Sequence, residues 1–298
     1  MIGRFWVDTS SRLGWGGESE VYALDAGRVL RVYWPGASAA YAERRRDFYV
    51  WLTEQGLPFE LPLVLETGIA EDRIYEVERR MRGRVLSGVL PVLAGADRER
   101  ALASYLRATE VIGGITLDDR RFGEMLVANE PLQRDTWSSF LCDRLMRSYE
   151  VGRPDLAEDV SGIEEILTRV LADLRALEPF SARRLVHGDY FPGNVYVDED
   201  FEISGIGDFG YSTVVGDPLM DVAGAVAFLE VVNGYRPPDS IFLTRLARER
   251  HGDDVVRRLD LYRLYYSFFF SGCKADDRRT YNWGVGNLTS WWQSRAHK

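Results

Sequence analysis

Two acidic side chains and an amide, spread over residues 185 to 210, are the positions in this sequence best able to do chemistry. Leu185-Val186 runs into His187, Gly188 and Asp189, and Asn194 follows five residues after Asp189. Gly188 permits a backbone turn that a residue with a Cβ would resist. Val195-Tyr196-Val197 then faces Phe201 to Ile206 across the acidic turn Asp198-Glu199-Asp200, an alternation that predicts a hairpin. Its return strand ends at Asp208-Phe209-Gly210, so three oxygen-bearing side chains are brought together. Such a set suits a hard cation, because magnesium accepts one or two carboxylates, keeps several waters and takes its remaining ligands from nucleotide phosphates. Two of the three residues would be ligands, and Asp189 would be left to accept a hydroxyl proton.

The pattern His187-Gly188-Asp189-x-x-Pro192-x-Asn194, with Asp208-Phe209-Gly210, resembles the catalytic core of the aminoglycoside phosphotransferase and choline kinase-like family. These are small-molecule kinases that share the protein-kinase fold. The resemblance implies a bilobal α+β architecture, with a small antiparallel β lobe over residues 1–80, a larger, mainly helical lobe over 81–298 and a hinge at about 78–83. It implies Asp189 as the base, Asn194 and Asp208 as magnesium ligands, and His187 and Asp221 as structural support. ATP, with GTP as the alternative, would give its γ-phosphoryl group to a small-molecule hydroxyl. Aminoglycosides lead among the acceptors so implied, which also include choline, homoserine, sugars and fructosamines. Gly188 where protein kinases carry the Arg of H-R-D, together with Pro192, points toward small substrates.

These groups need a phosphate-holding element in front of them. Leu13 to Leu24 and Val29 to Tyr33 read as a glycine-rich hairpin in which Gly14-x-Gly16-x-x-Ser19-x-Val21 is close to a kinase phosphate-covering loop. Gly14, Gly16 and Gly17 let backbone amides approach phosphate oxygens, and Ser19, in place of a third glycine, adds a hydroxyl. The second strand offers Arg31 where the family pattern has lysine, a longer and planar cation. Residues 38 to 55 predict a helix, and the resemblance implies that it supplies an acid for that cation: Glu43, with Asp47 one turn later in reserve. Arg44-Arg45-Arg46 reads as a solvated helix face. Leu61 to Leu65 and Ile74 to Glu78 predict two further strands, and Glu78, Arg79, Arg80 and Met81 form the hinge whose backbone would meet the adenine edge.

Behind the site the pattern turns helical. Asp97 to about Ile112 and Thr136 to Met146 are amphipathic, and Ser161-Gly162-Ile163-Glu164 reads as a capping box opening a leucine-striped helix that ends before Pro179. Gly216-Asp217-Pro218-Leu219-Met220-Asp221 again resembles the family, which implies that Asp221 braces the catalytic loop through its backbone; Asp217 reads as a helix cap. The last seventy residues are aromatic and helical. Asp276 and Asp277 could attract acceptor ammonium groups, whereas His251 and His297 suggest no chemistry.

Composition bounds the rest. The 298 residues carry a formal net charge of -9, with 46% hydrophobic and 28% charged side chains, as a soluble globular protein does. That acidic balance argues against nonspecific nucleic-acid binding, which requires a basic footprint. Cys142 and Cys273 lie far apart, which suits free thiols in a reducing compartment. The start, Met1 to Asp8, lacks a signal peptide's apolar core, and no apolar run approaches the roughly eighteen residues of a membrane span, so a cytoplasmic protein without a membrane partner is expected. Arg31 also raises a second reading, a nucleotide-binding protein with little transfer. The intact trio of Asp189, Asn194 and Asp208 argues against it, since a binding module has no use for a base.

Overall fold

A computed structural model of the chain describes residues 4–177 and 179–296, and Met1 to Gly3 and His297 lie outside the described residues. The smaller lobe is a five-stranded antiparallel sheet of β1 (Arg12–Trp15), β2 (Ser19–Ala23), β3 (Arg28–Tyr33), β4 (Val64–Ala70) and β5 (Arg73–Arg79), in the order β1-β2-β3-β5-β4. Between β3 and β4 runs α1 (Ala39–Thr53). Side chains alternate across a strand, so the register Val29↔Glu78 and Arg31↔Glu76 puts Arg31, Glu76 and Glu78 on one face. The other face buries Tyr22, Leu30, Val32 and Val77 as a small separate core.

The larger lobe follows β6 (Arg84–Val85) and α2 (Leu86–Val89). It contains α3 (Gly95–Gly113), β7 (Phe122–Glu124), β8 (Gln133–Arg134), α4 (Trp137–Asp159), α5 (Ile163–Arg175), β9 (Arg184–Val186), β10 (Val195–Val197) and β11 (Ile203–Ile206). It closes with β12 (Val214–Gly216), α6 (Leu219–Ala227), α7 (Pro237–His251), α8 (Val255–Phe269) and α9 (Arg278–Ala296). Two short sheets, β11-β10-β6 and β8-β7-β12-β9, hold the segment from His187 to Asp208 against the helices. The expected hairpin is β10 with β11, antiparallel, Val195 opposite Ile206. One main core runs from Tyr41, Phe48 and Leu52 of α1 into Leu102, Leu106, Leu145, Leu167 and Leu174 of the helical lobe. None of the helices among the described residues is long and apolar enough to cross a membrane.

Three local expectations are corrected. The strand expected from Leu61 begins at Val64, because the preceding segment is a strap between lobes: the Glu60 amide donates to the Ser204 carbonyl at 2.8 Å and the Ile206 amide donates to the Glu60 carbonyl at 3.0 Å. The helix expected to end near Met146 continues to Asp159 and takes Pro154 in its stride, since its buried face, Leu141, Leu145, Tyr149 and Leu156, persists. The capping box at Ser161–Glu164 does not form. Gly162 takes a left-handed φ of 72° at the N-cap, and Glu164 instead accepts from the Tyr149 hydroxyl at 2.8 Å.

A buried fork ties α3 to α7. Arg98 donates through Nε and Nη2 to the two oxygens of Asp239, at 2.7 and 2.5 Å, and through Nη1 and Nη2 to the carbonyls of Leu90 and Gly234. Arg98→Ala would leave the Asp239 carboxylate buried without its cation, which costs about 3–5 kcal/mol. Urea unfolding should show that loss, with the slope m unchanged.

Candidate active site

Strand β9 delivers His187 to the floor of the cleft, and the loop after it is held by its own backbone. Asp221, in the first turn of α6, accepts from the His187 amide at 2.7 Å and the Gly188 amide at 2.9 Å, one on each carboxylate oxygen. The His187 ring is fully buried. Its Nε2–H donates to the Gly207 carbonyl at 2.9 Å, leaving Nδ1 to accept from the Asp189 amide at 3.3 Å. Burial holds the imidazole down, at about 4, so the ring is neutral at physiological pH and acts as a spacer between the two metal-side segments. Gly188 has φ +80°, and a Cβ there would lie 2.0 Å from the Ser212 carbonyl oxygen, so no other residue fits.

Asp189 emerges half-buried from this loop. Burial first, and then the charge of Asp208, push its carboxyl up to about 7, against a hydrogen bond from Asn194 that pulls it down. Asn194 Nδ2 donates to the Asp189 carbonyl at 3.0 Å, which leaves the amide oxygen available as a ligand. The Gly207 amide donates to the Asn194 carbonyl at 2.9 Å, closing the hairpin just before Asp208. Asp208 adopts φ +62°, a left-handed conformation that costs a residue with a Cβ about 1–2 kcal/mol. Its neighbour locks it there: Phe209 is buried, lies 4.3 Å from the His187 ring and 5.5 Å from Phe48, and donates its amide to the Tyr49 hydroxyl at 3.0 Å.

The Asp208 side chain is 51% exposed and meets Arg31 Nη1 at 3.4 Å. One carboxylate and one amide oxygen fit magnesium rather than a metal that is caged by protein. Among the described residues no group of three or more His, Cys, Asp or Glu could hold an ion by itself, so phosphate oxygens and water would have to complete the shell.

On the phosphate side the expected partner of Arg31 is wrong. Glu43 and Asp47 both face solvent, and Asp47 pairs with its neighbour Arg46. Arg31 Nε instead donates to Glu78 Oε1 at 2.8 Å, and Nη1 donates to the Ser19 hydroxyl at 2.9 Å. The helix contributes a second cation: Arg45, 1% exposed, donates through Nη1 to Glu78 at 2.8 Å and to Glu76 at 2.5 Å. Burial would raise the Glu78 carboxyl, but Arg31 and Arg45 together hold it well below the ordinary range, at about 2. The side chain of Glu78, expected at the adenine hinge, therefore belongs to this ion cluster. Arg45 was legible in one respect. Tyr41, Arg45, Phe48, Tyr49 and Leu52 share the buried stripe of α1, so the middle arginine of the triplet falls on the apolar face and not the solvated one.

The remaining predicted residues are distributed as follows. A Cβ on Gly14, Gly16 or Gly17 would meet nothing within 4 Å, so this edge of the hairpin is open, while Trp34 Nε1 donates to the Gly16 carbonyl at 2.9 Å. Glu18, which the sequence reading passed over, accepts from the Tyr41 hydroxyl at 2.7 Å; burial raises its pKa, with Asp208 a further raising charge. At the hinge, the Arg79 and Arg80 amides donate to the Leu63 and Gly27 carbonyls, and Met81 packs its sulfur toward Gly205. Tyr196 of β10, also passed over, lies in the field of Arg31, Asp208 and Glu78. Asp217 accepts from the Leu219 amide at 3.1 Å as a cap does, but its other oxygen takes Tyr262 and Arg258. Asp277 is committed to capping α9 through the Thr280 amide at 3.0 Å, and Asp276 faces solvent, so neither is arranged as an ammonium seat. A cavity of about 250 Å³ beside the start of α4, lined by Phe122, Trp137, Phe180 and Arg183 among others, shares no residue with the cleft.

The sequence model of the phosphotransferase enzyme family matches residues 9–262. The chain belongs to that family. A protein of Enterococcus faecium classed as a ketoamine kinase is 27% identical over 175 residues, a match that spans 57% of this chain and 58% of that protein. Among solved structures, wild-type aminoglycoside 2'-phosphotransferase-IIIa with GDP superposes with a TM-score of 0.68 at 16% identity, covering 94% of this chain and 91% of the other. The streptomycin–ATP complex of APH(2")-IIa gives 0.61 at 18% identity, covering 97% and 92%. At these identities what is shared is the fold, so the family's kinase-like architecture holds along nearly the whole chain while its side chains are free to differ. The ion cluster around Glu78 is where this phosphotransferase differs most clearly from the pattern its sequence suggested.

Glu43→Gln and Glu78→Gln separate the two pairings. The first should leave unfolding free energy within about 0.5 kcal/mol of the parent, as an exposed substitution does. The second leaves two buried guanidinium groups sharing one fewer charge and should cost about 3–5 kcal/mol. It should also weaken binding of a fluorescent ATP analogue, measured by titration on the folded variant.

Proposed function

We propose that this phosphotransferase moves the γ-phosphoryl group of ATP to a hydroxyl of a small polyol or amino sugar, with magnesium at Asn194 and Asp208. The observation that carries the proposal is the division of labour in the cleft. One carboxylate, Asp189, is held next to the ligand pair and its backbone, yet is in no ion pair among the described residues and is raised toward neutrality.

When bound, magnesium would neutralise charge on the phosphate oxygens. The chain's own groups do the rest. Arg31 has Nε and Nη1 committed to Glu78, Ser19 and Asp208, and no partner for Nη2 among the described residues, so Nη2 can meet a phosphate oxygen without releasing the ion cluster. The Gly14 to Gly17 turn, which has open space around it, would cover the triphosphate. Asp189 orients the acceptor hydroxyl and takes its proton as the bond to phosphorus forms. Because the transition state is loose, positioning and charge neutralisation supply most of the acceleration. The ketoamine kinase relative and the streptomycin complex support a sugar-like acceptor. Solved relatives with GDP and with ATP make both nucleotides worth testing as donors.

Asp189→Asn should keep magnesium–nucleotide affinity and lose roughly 10²–10⁴-fold in kcat, whereas Asp208→Asn should lose the affinity itself. Coupled ADP release and direct nucleotide titration read the two effects separately, and an Asp189→Asn variant with parental turnover would remove the assigned base.

The pH dependence has a definite sign. A raised carboxyl holds its proton until the pH exceeds its pKa, so the acceptor kcat/KM should fall about tenfold per unit on the acid side of that value. The midpoint should lie at or below about 7, below because magnesium at Asp208 removes one of the charges that raise Asp189.

A further inference from the structure

The segment after Asp208 wraps the catalytic loop. The missing Cβ of Gly188 points at the Ser212 carbonyl, 2.0 Å away, and the Thr213 hydroxyl donates to the His187 carbonyl at 3.3 Å. Tyr211, just before Ser212, is therefore on the segment packed against the loop that carries Asp189. Burial, with the Asp189 charge next in size, drives its phenol up to about 12.

The Tyr211 ring is nevertheless 48% exposed. One part of it is stacked on Phe269 at the end of α8, with 6.1 Å between centroids and 26° between planes. Phe269 in turn stacks on Tyr265, and the buried guanidinium of Arg144 lies 4.5 Å from its ring centre. Arg144 Nη2 donates to the Tyr211 carbonyl at 2.8 Å, so the platform is fixed at both ring and backbone.

The charge around this platform is unusual for a site expected to take polycations. The acids acting most strongly on Asp189 are Asp208, Glu18 and Asp221. Asp208 belongs to the metal side, Glu18 accepts from Tyr41, and Asp221 gives both oxygens to the loop amides. Glu124, the acid next to Arg144, already takes Arg144, Arg147 and the Leu132 amide. A single ammonium could rest on an aromatic face. Several would need carboxylates that are already committed.

We propose that Tyr211 is the platform on which the acceptor's ring stacks, and that the acceptor is a ring-bearing polyol with at most one positive charge rather than a polycation. The proposal rests on the kinase reading and narrows its acceptor. Stacking presents the ring's hydroxyl edge to Asp189 while Arg144 sets the height of the platform from below.

The test begins with titration of wild-type protein with magnesium and a fluorescent ATP or GTP analogue. ADP release is then followed with p-nitrophenyl glucoside, the ketoamine of glucose and glycine, and kanamycin as acceptors. Either of the first two should exceed kanamycin in kcat/KM by about tenfold or more, the discrimination set by about one stacked contact. Tyr211→Ala should raise the acceptor KM about tenfold and move the nucleotide KM less than about twofold, and Tyr211→Phe should restore the acceptor KM to within about twofold. Kanamycin as the best acceptor, an acceptor KM unmoved in Tyr211→Ala, or an equal change in nucleotide KM would overturn the platform and leave the kinase reading standing. A wild type that binds neither nucleotide, or transfers to no acceptor, removes the kinase reading and the platform with it.

Discussion

One buried carboxylate, Glu78, holds two arginines, and the arrangement of the smaller lobe follows from that sharing. Isolated ions are expensive to bury, so a cation on β3, a cation on α1 and two acids on β5 are mutually obligatory once the helix has covered the sheet. Glu76, its carboxyl raised by burial, meets Arg45 as well and accepts from the Tyr33 hydroxyl at 3.0 Å. The helix is thereby fixed in rotation as well as in distance. One turn after Arg45, the buried Tyr49 has its ring under the Arg45 guanidinium at 4.9 Å and its hydroxyl accepting from the Phe209 amide at 3.0 Å. Helix α1 thus joins Arg31 to the segment that carries Asp208.

The catalytic loop rests on a different constraint, the need to satisfy buried amides without a strand partner. Asp221 takes two of them and His187 a third, and each of these bonds also sets the direction in which Asp189 leaves the loop. Burial pushes the Asp221 carboxyl up, to about 7, while the two amide donors pull it down, so bracing a loop with an acid is stable only because both oxygens are used. The left-handed turn at Asp208 is sustained in the same way. Phe209, wedged between His187 and Phe48, fixes the backbone after it, and the Gly207 contacts to His187 and Asn194 fix the backbone before it.

The catalytic loop was readable in the sequence because it is local: Gly188, Asp189, Asn194 and Asp208 lie within one loop and one hairpin, and alternation across a short turn sets their order. The fold class was readable through the same segment, by resemblance. What escaped depends on contacts between distant segments. Arg45 looked solvated as one of three arginines, though its place on the Tyr41–Leu52 stripe marked it as buried. Glu76 and Glu78 alternate with Ile74 on one strand face, a pattern that announces a buried acid pair only once a helix cation is known to cover it. The Ser161–Glu164 capping box had the right letters, but Tyr149 of the preceding helix competed for Glu164 and Gly162 could turn left-handed without help.

The two departures from the expected pattern, arginine for lysine on β3 and Arg45 rather than Glu43 as the α1 residue that meets the strand charges, are one physical change. A lysine has a single nitrogen at its tip and can be steered by an acid approaching from the helix beyond it. Here the acid comes from β5, alongside β3, and the atom that meets it must lie along the flank of the side chain. Arginine supplies such an atom in Nε and keeps Nη1 forward, toward both Ser19 and Asp208. Once the acid has moved to the strand, an acid on the helix would place three carboxylates around one cation. A helix arginine restores the balance instead. Arg31, Arg45, Glu76 and Glu78 are therefore a set in which removing one member leaves buried charge without its partner.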